Sequence, residues 1–130
     1  MTLQRVRAAG FSKLATVTWG DNLKVYFQAD NLSICELTRH ANGDWTGPVA
    51  IPGVNAYQGT GLGAVGWDGV HLRVYYQTPD NAQFEAAWDG SSWQIRAMQA
   101  KWGDQIRAQL GTPIVAIRLL DEKGVRLVSV

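Results

Sequence analysis

The feature that most limits what this chain can become is an internal repeat. The segment LKVYFQADNLSICE (23–36) returns as LRVYYQTPDNAQFE (72–85), so Tyr26 recurs as Tyr75 and Glu36 as Glu85, each 49 residues on. Trp19 recurs as Trp67 and Trp45 as Trp93, each 48 residues on. A period of this length, holding two hairpin-sized apolar runs and regularly spaced tryptophans, fits one four-stranded β-propeller blade per unit. Equivalent side chains then recur around a ring. A groove between neighbouring blades becomes a repeated binding site.

The periodicity along the chain is that of strands. Short runs rich in Val, Ile, Tyr, Phe and Thr are predicted as strands at 14–19, 23–28, 32–37, 63–67, 72–77 and 83–88. Turn-formers such as Gly20-Asp21-Asn22, Asp30-Asn31, Asn42-Gly43-Asp44 and Pro79-Asp80-Asn81 separate them. Pro48 and Pro52 read as punctuation in a linker between the first two units. Only 96–110 offers a candidate for helical spacing, and Trp102-Gly103-Asp104 interrupts it. The chain is therefore all-β.

A third unit begins where Ile117-Arg118-Leu119-Leu120 is placed against Leu72-Arg73-Val74-Tyr75, with a tight turn at 121–124 and a strand at 125–130. The units span approximately 14–55, 61–100 and 105–130 of a single domain, 1–130. The segment 3–9 resembles 93–100, the fourth strand of the second unit, and is expected to complete the last blade. Three blades make a half-ring, so a six-bladed ring calls for a homodimer.

Composition narrows the function. Lys plus Arg is 12 against 11 for Asp plus Glu, a formal charge of +1, which gives no field to attract nucleic acid or an acidic membrane surface. A hydrophobic fraction of 46% marks a folded chain. The single cysteine, Cys35, cannot form an intrachain disulfide and sits in a strand as a small apolar filler. Neither an export leader nor a run near the roughly 20 apolar residues of a membrane span is visible. The expectation is a cytoplasmic protein, or one exported by a route the sequence does not show, with no membrane insertion.

These residues carry a resemblance to the fucose-binding propeller lectins and their two-blade bacterial relatives. That family's pattern is a strand ending in Trp, then I-R-V-Y-Y, then I-x-E-x-x-W-D-G-x-x-W. This chain has Trp67, then Leu72-Arg73-Val74-Tyr75-Tyr76, then Phe84-Glu85-Ala86-Ala87-Trp88-Asp89-Gly90, then Trp93. The match is close over 67–93, eroded over 19–45 and faint from 105 to 130.

The resemblance implies a lectin for fucosylated glycans, with each sugar between two blades. An Arg and a Glu would come from one blade and aromatic rings from the blade before it. Arg73 and Glu85, walled by Trp45, then form the best site. Arg118 with Trp88 and Trp93 forms a second that lacks its Glu, since Arg126 or a neighbour stands there. Lys24 with Glu36 forms a third, in which Leu3 is the residue expected at the facing aromatic position. At the first unit's W-D-G position the aromatic is replaced by Arg39.

The chemistry suits a sugar without appeal to the family. A guanidinium fork donates to two oxygens at once, a carboxylate accepts from adjacent hydroxyls, and an indole face covers the apolar C–H surface of the ring. A lysine point charge does not reproduce the fork.

Plainer readings stand beside these. Arg73 and Glu85 on neighbouring strands also suit a cross-strand ion pair, and Trp19 and Trp67 suit core or channel packing. Trp102 has no partner in the repeat. His40 and His71 lie in or beside turns without a second ligand at metal spacing, so no metal and no cofactor is expected. Asp89-Gly90-Ser91-Ser92-Trp93 resembles a sialidase Asp-box but is one residue short. Each groove supplies one carboxylate at most, where glycoside hydrolysis needs two, and no serine has a His and an acid at triad spacing. The chain reads as non-catalytic. The other readings are a structural or protein-interaction ring with relic sugar grooves, and a subunit of a glycan-acting enzyme.

Overall fold

The computed structural model describes residues 7–98 in full and the backbone strands at 2–3, 114–118 and 125–129. Strands β1 (Thr2–Leu3), β2 (Leu14–Trp19), β3 (Asn22–Gln28), β4 (Ile34–Arg39) and β5 (Trp45–Ala50) form one sheet in the order β1-β5-β4-β3-β2. Strands β6 (Gly63–Trp67), β7 (His71–Gln77), β8 (Gln83–Trp88) and β9 (Trp93–Ala97) form a second sheet in sequence order. Strands β10 (Ile114–Arg118) and β11 (Val125–Ser129) pair antiparallel as a third. All pairings within the two repeat units are antiparallel hairpin pairings. The all-β expectation holds, and each unit of the repeat is one up-and-down sheet. Residues 99–113, which include Trp102 and most of the helix candidate, lie outside the described residues.

Strand boundaries follow the turn chemistry. The third strand of the first unit starts at Ile34, later than periodicity placed it, because Leu32 is drawn into the preceding turn with φ at 74°. That turn closes through Leu32 N–H to Ala29 O at 2.9 Å, and the Asn31 Oδ1 accepts from Ser33 N–H at 3.1 Å. Pro48 is not linker but part of β5, at a bulge where the β4–β5 register shifts between Glu36 and Thr38. A proline fits there because the bulge excuses it from the ladder. Gly47 beside it is at φ +99°, and a Cβ at this point would stand 2.8 Å from the Glu36 carbonyl oxygen.

The core fills the space between the first two sheets. Ala15, Tyr26 and Ile34 from the first sheet meet Val74, Tyr76 and Ala86 from the second, with Ile51, Ala56 and Leu62 of the connection sealing the end. Innermost strands neighbour one another, β2 against β6 and β6 against β10. This stacking of sheets about their first strands is the blade arrangement that the repeat predicted.

Two placements differ from expectation. Strand β10 lies against β6 as β6 lies against β2, so it takes a first-strand place, not the second-strand place assigned to 117–120. The LRVY of the second unit is then answered by Val125-Arg126-Leu127-Val128 on β11, and Arg118 stands at the end of a first strand, where Trp19 and Trp67 stand in theirs. The tandem Ile-Arg-Leu-Leu and Val-Arg-Leu-Val pieces, only four residues apart, allow two phases for the repeat. The N-terminal segment is also elsewhere: Thr2 and Leu3 run parallel to Thr46 and Gly47 of β5, and Ala8 bridges Ala29. Within one chain it lies on the first sheet and not on the third.

Candidate functional site

Alternation along the strands sorts the second sheet into two faces. Leu72, Trp88 and Trp93 lie in register across β7, β8 and β9, as do Val74, Ala86 and Ile95, and this face looks back to the first sheet. Arg73, Ala87 and Gln94, with Tyr75, Glu85 and Arg96, make up the other face. The first sheet divides alike. Lys24, Thr38 and Thr46 share one face with Tyr26 and Glu36, while Leu23, Arg39 and Trp45 lie on the other.

The consequence is a groove between the first two sheets that combines residues expected to lie apart. A pocket of about 120 Å³ is lined by Trp19, Lys24 and Glu36 from the first sheet and by Leu72, Trp88 and Trp93 from the second. The polar pair comes from one blade and the aromatic wall from the blade after it. The expectation that the wall comes from the blade before is corrected. Trp45 is on the face of its sheet turned away from the second sheet, and so it does not wall Arg73. Trp88 and Trp93, expected beside Arg118, line this pocket with Lys24 and Glu36.

Each polar group in the groove is pinned. Lys24 is buried, with 8% of its surface exposed. Its Nζ donates to Glu36 Oε1 at 3.1 Å and to Thr38 Oγ1 at 2.9 Å, and lies 4.8 Å from the centre of the Trp19 ring. Tyr26 Oη donates to the other carboxylate oxygen, Glu36 Oε2, at 2.8 Å. The carboxylate is held at both oxygens yet keeps lone pairs for a ligand's hydroxyls. Opposite it, the Trp88 and Trp93 rings are tilted by 52° with centroids 5.7 Å apart. Trp19 Nε1 is buried without a hydrogen-bond partner among the described residues.

The far face of the second sheet repeats the polar half. Tyr75 Oη donates to Glu85 Oε2 at 2.9 Å, the counterpart of the Tyr26–Glu36 bond. Arg73 replaces Lys24 and stacks its guanidinium 4.9 Å above Trp67. Its Nε is 3.9 Å from Glu85 Oε1, while its Nη1 donates to the carbonyls of Leu72 (2.9 Å) and Trp88 (3.2 Å) and reaches Asp89 Oδ1 at 2.9 Å. His71 Nδ1 meets the same Asp89 oxygen at 2.6 Å and stacks on Trp67 at 4.9 Å. Asp89 is held below the usual carboxylate range, first by the His71 hydrogen bond and then by Arg73. Arg96 closes the cluster, 3.8 Å from Glu85 and 3.9 Å from Asp89.

Thus Arg73 and Glu85 are both an ion pair and a preorganised polar arm. Sequence reasoning missed Tyr26, Tyr75, Thr38, His71, Asp89 and Arg96. The recurrence of Tyr two residues after Lys24 and Arg73, on the same face by alternation, was the signal available for the tyrosines. The side chains of Leu3, Arg118 and Arg126 lie outside the described residues. Among the described residues no group of three or more His, Cys, Asp or Glu is placed to hold a metal, and no helix is long and apolar enough to cross a membrane.

Comparison with known proteins follows from this geometry. The family model of fungal fucose-specific lectins matches residues 7–117. The fucose-specific lectin of Aleuria aurantia is 33% identical over 119 residues, covering 86% of this chain and 36% of the relative. A solved structure of that lectin, described as a six-bladed β-propeller, superposes with a TM-score of 0.77 at 34% identity over 95% of this chain and 39% of its own. The lectin SapL1, solved with α-methyl fucoside, gives 0.69 at 30% identity over 89% of this chain and 38% of its own. The chain thus spans about two-fifths of the length of these relatives.

The tyrosines give a check on the buried carboxylate clamps. Burial, reinforced by the neighbouring Glu36 or Glu85, raises the phenol pKa of Tyr26 and Tyr75 well above 10, and burial alone pushes Tyr76 up to about 12. A raised folded-state value favours the neutral phenol, so the stability it contributes is full below pH 10 and is lost as pH rises beyond it. In an alkaline titration followed at the phenolate absorbance, three of the four tyrosines should ionise only together with loss of the circular dichroism signal. Ionisation of all four before unfolding would mean that the clamps are open.

Proposed function

The chain belongs to the fungal fucose-specific lectin family, and from that premise we propose that it is a non-catalytic carbohydrate-binding protein for fucosylated glycans. The observation that carries this reading is the groove between the first two sheets, where Lys24 and Glu36 face Trp88 and Trp93 across a space open to a single sugar. Glu36 accepts from vicinal hydroxyls, the ammonium donates to a ring or hydroxyl oxygen, and the indoles cover the C–H face and the methyl of a 6-deoxy sugar. That groove is lined by one carboxylate, Glu36, where glycosidic cleavage needs an acid and base pair.

Further grooves follow the same rule of a polar arm facing the next blade's aromatics. Arg73 and Glu85 are the polar arm of one whose wall belongs to a following blade. Trp45 is a wall residue for an arm on a preceding blade. On β11, Arg126 holds the repeat position of Arg73. Single shallow sites bind weakly, so retention on a glycan-coated surface rests on several grooves acting together.

Calorimetry with L-fucose tests the groove. Glu36→Ala should weaken binding roughly tenfold to a hundredfold, the worth of one charge-assisted hydrogen bond of about 1.5–3 kcal/mol. Trp93→Ala should cost about tenfold, equivalent to about 1.4 kcal/mol of ring contact. Lys24→Arg should strengthen binding by restoring the fork. Full fucose affinity in a folded Glu36→Ala protein would overturn the assignment.

We further propose that two copies share a ring as a homodimer. Support comes from the match to about two-fifths of a six-bladed relative. Sedimentation at micromolar concentration should give a dimer of the 14.3 kDa chain. A stable monomer would refute this assembly.

A further inference from the structure

The face of the second sheet that carries Trp88 and Trp93 carries a second pocket at its other end. It has a volume of about 380 Å³ and is lined by Tyr76, Phe84 and Ile95 of the sheet, by Thr78 and Asp80 of the β7–β8 turn, and by Asn55 and Gly53 of the connection between sheets. Phe84 and Trp88 are four residues apart on β8, so the two pockets lie roughly 13 Å apart at about 3.3 Å per residue. The core side chains Val74 and Ala86 separate them.

Comparison of the two repeat units shows that the side chains lining this pocket are not repeated. The counterparts of Tyr76, Thr78 and Phe84 are Phe27, Ala29 and Cys35, which close together as a small apolar cluster in the first unit. The second unit has a phenol, a hydroxyl and a phenyl ring in their place. Tyr76 is fully buried, yet its Oη has no hydrogen-bond partner among the described residues. A buried hydroxyl left so is destabilising, and a ligand oxygen would recover that cost. The Tyr76 and Phe84 rings, with centroids 6.0 Å apart and tilted by 35°, and Ile95 beside them supply an apolar surface. The Asn55 amide and the Asp80 carboxylate, which accepts from the Thr78 hydroxyl, supply a polar rim. No Lys, Arg or His lines the space, which leaves an anion without a counter-charge. Its volume stands at the small end of ligand pockets, about 300–1,000 Å³.

We propose that this pocket is a second ligand site, for one neutral, hydroxylated six-membered ring, independent of the fucose groove. Its aromatic floor takes the ring's apolar face and the rim reads its hydroxyls. Amide-resolved NMR titration tests this on the intact chain with L-fucose already added to 50 mM, using galactose, mannose and N-acetylglucosamine as one set of probes and catechol as another. At least one probe should shift the Asn55, Thr78 and Asp80 amides saturably while leaving those of Lys24 and Trp93 in place, and the responding set tells a sugar from a phenol. Tyr76→Phe, which restores the first unit's residue and keeps the ring, should weaken that response at least threefold. Asp80→Asn, on the exposed rim, should weaken it likewise with no change of fold. The proposal is overturned if no probe gives a saturable shift at these amides, or if both variants respond as the parent does. Loss of the fucose response alone would count against the lectin reading and not against this site.

Discussion

The pleat of the second sheet is the constraint on which the site depends. Successive residues on β7 and β8 face opposite ways, so Arg73 and Glu85 cannot lie on the face that carries Trp88 and Trp93. One blade therefore presents its aromatic pair backward and its polar arm forward. On the proposed reading, a complete sugar groove exists only where two blades meet. The register of Leu72 with Trp88 and Trp93 places the tryptophans at one end of the sheet, opposite Lys24 and Glu36, and the core of Val74, Ala86 and Tyr26 holds the two faces at a fixed spacing. Binding and packing are thus built on the same interface.

The two units keep this plan while differing in its chemistry. In the first, Lys24 spends two of its donors on Glu36 and Thr38. Thr38 has Ala87 as its counterpart, and the cation of the second unit turns instead to Asp89 and two backbone carbonyls. Both units retain a tyrosine that donates to the glutamate. The clamp on the carboxylate is the shared element, and the cation and its partners are where the repeats have diverged. A ring built from such units presents related but unequal sites.

Much of this was legible in the sequence, and what was not has physical causes. The strands and the blade-per-unit plan followed from the repeat, since apolar alternation and turn residues are local signals. Glu36, Lys24, Trp88 and Trp93 were each picked out, but they were sorted into the wrong grooves. Repeat spacing tells which residues are equivalent and not which face of the neighbour they meet. Alternation, applied to Trp45 against Glu36, would have separated them. The phase of the third unit turned on two similar tetrapeptides, and only the contact of β10 with β6 distinguishes them. The Asp89–His71 contact joins residues 18 apart through a hairpin end, and the W-D-G pattern that holds Asp89 does not point to His71 as its partner. The Pro48 bulge depends on the close approach of Gly47 to the Glu36 carbonyl, a tertiary fact.

A crystal structure of the chain with α-methyl-L-fucoside tests the central claim most directly. The account predicts a sugar between the first two sheets, its hydroxyls on Glu36 and Lys24 and its methyl or C–H face against Trp88 or Trp93. A sugar held by Arg73 and Glu85 against Trp45, or an empty groove beside Glu36 at saturating fucoside, would contradict it.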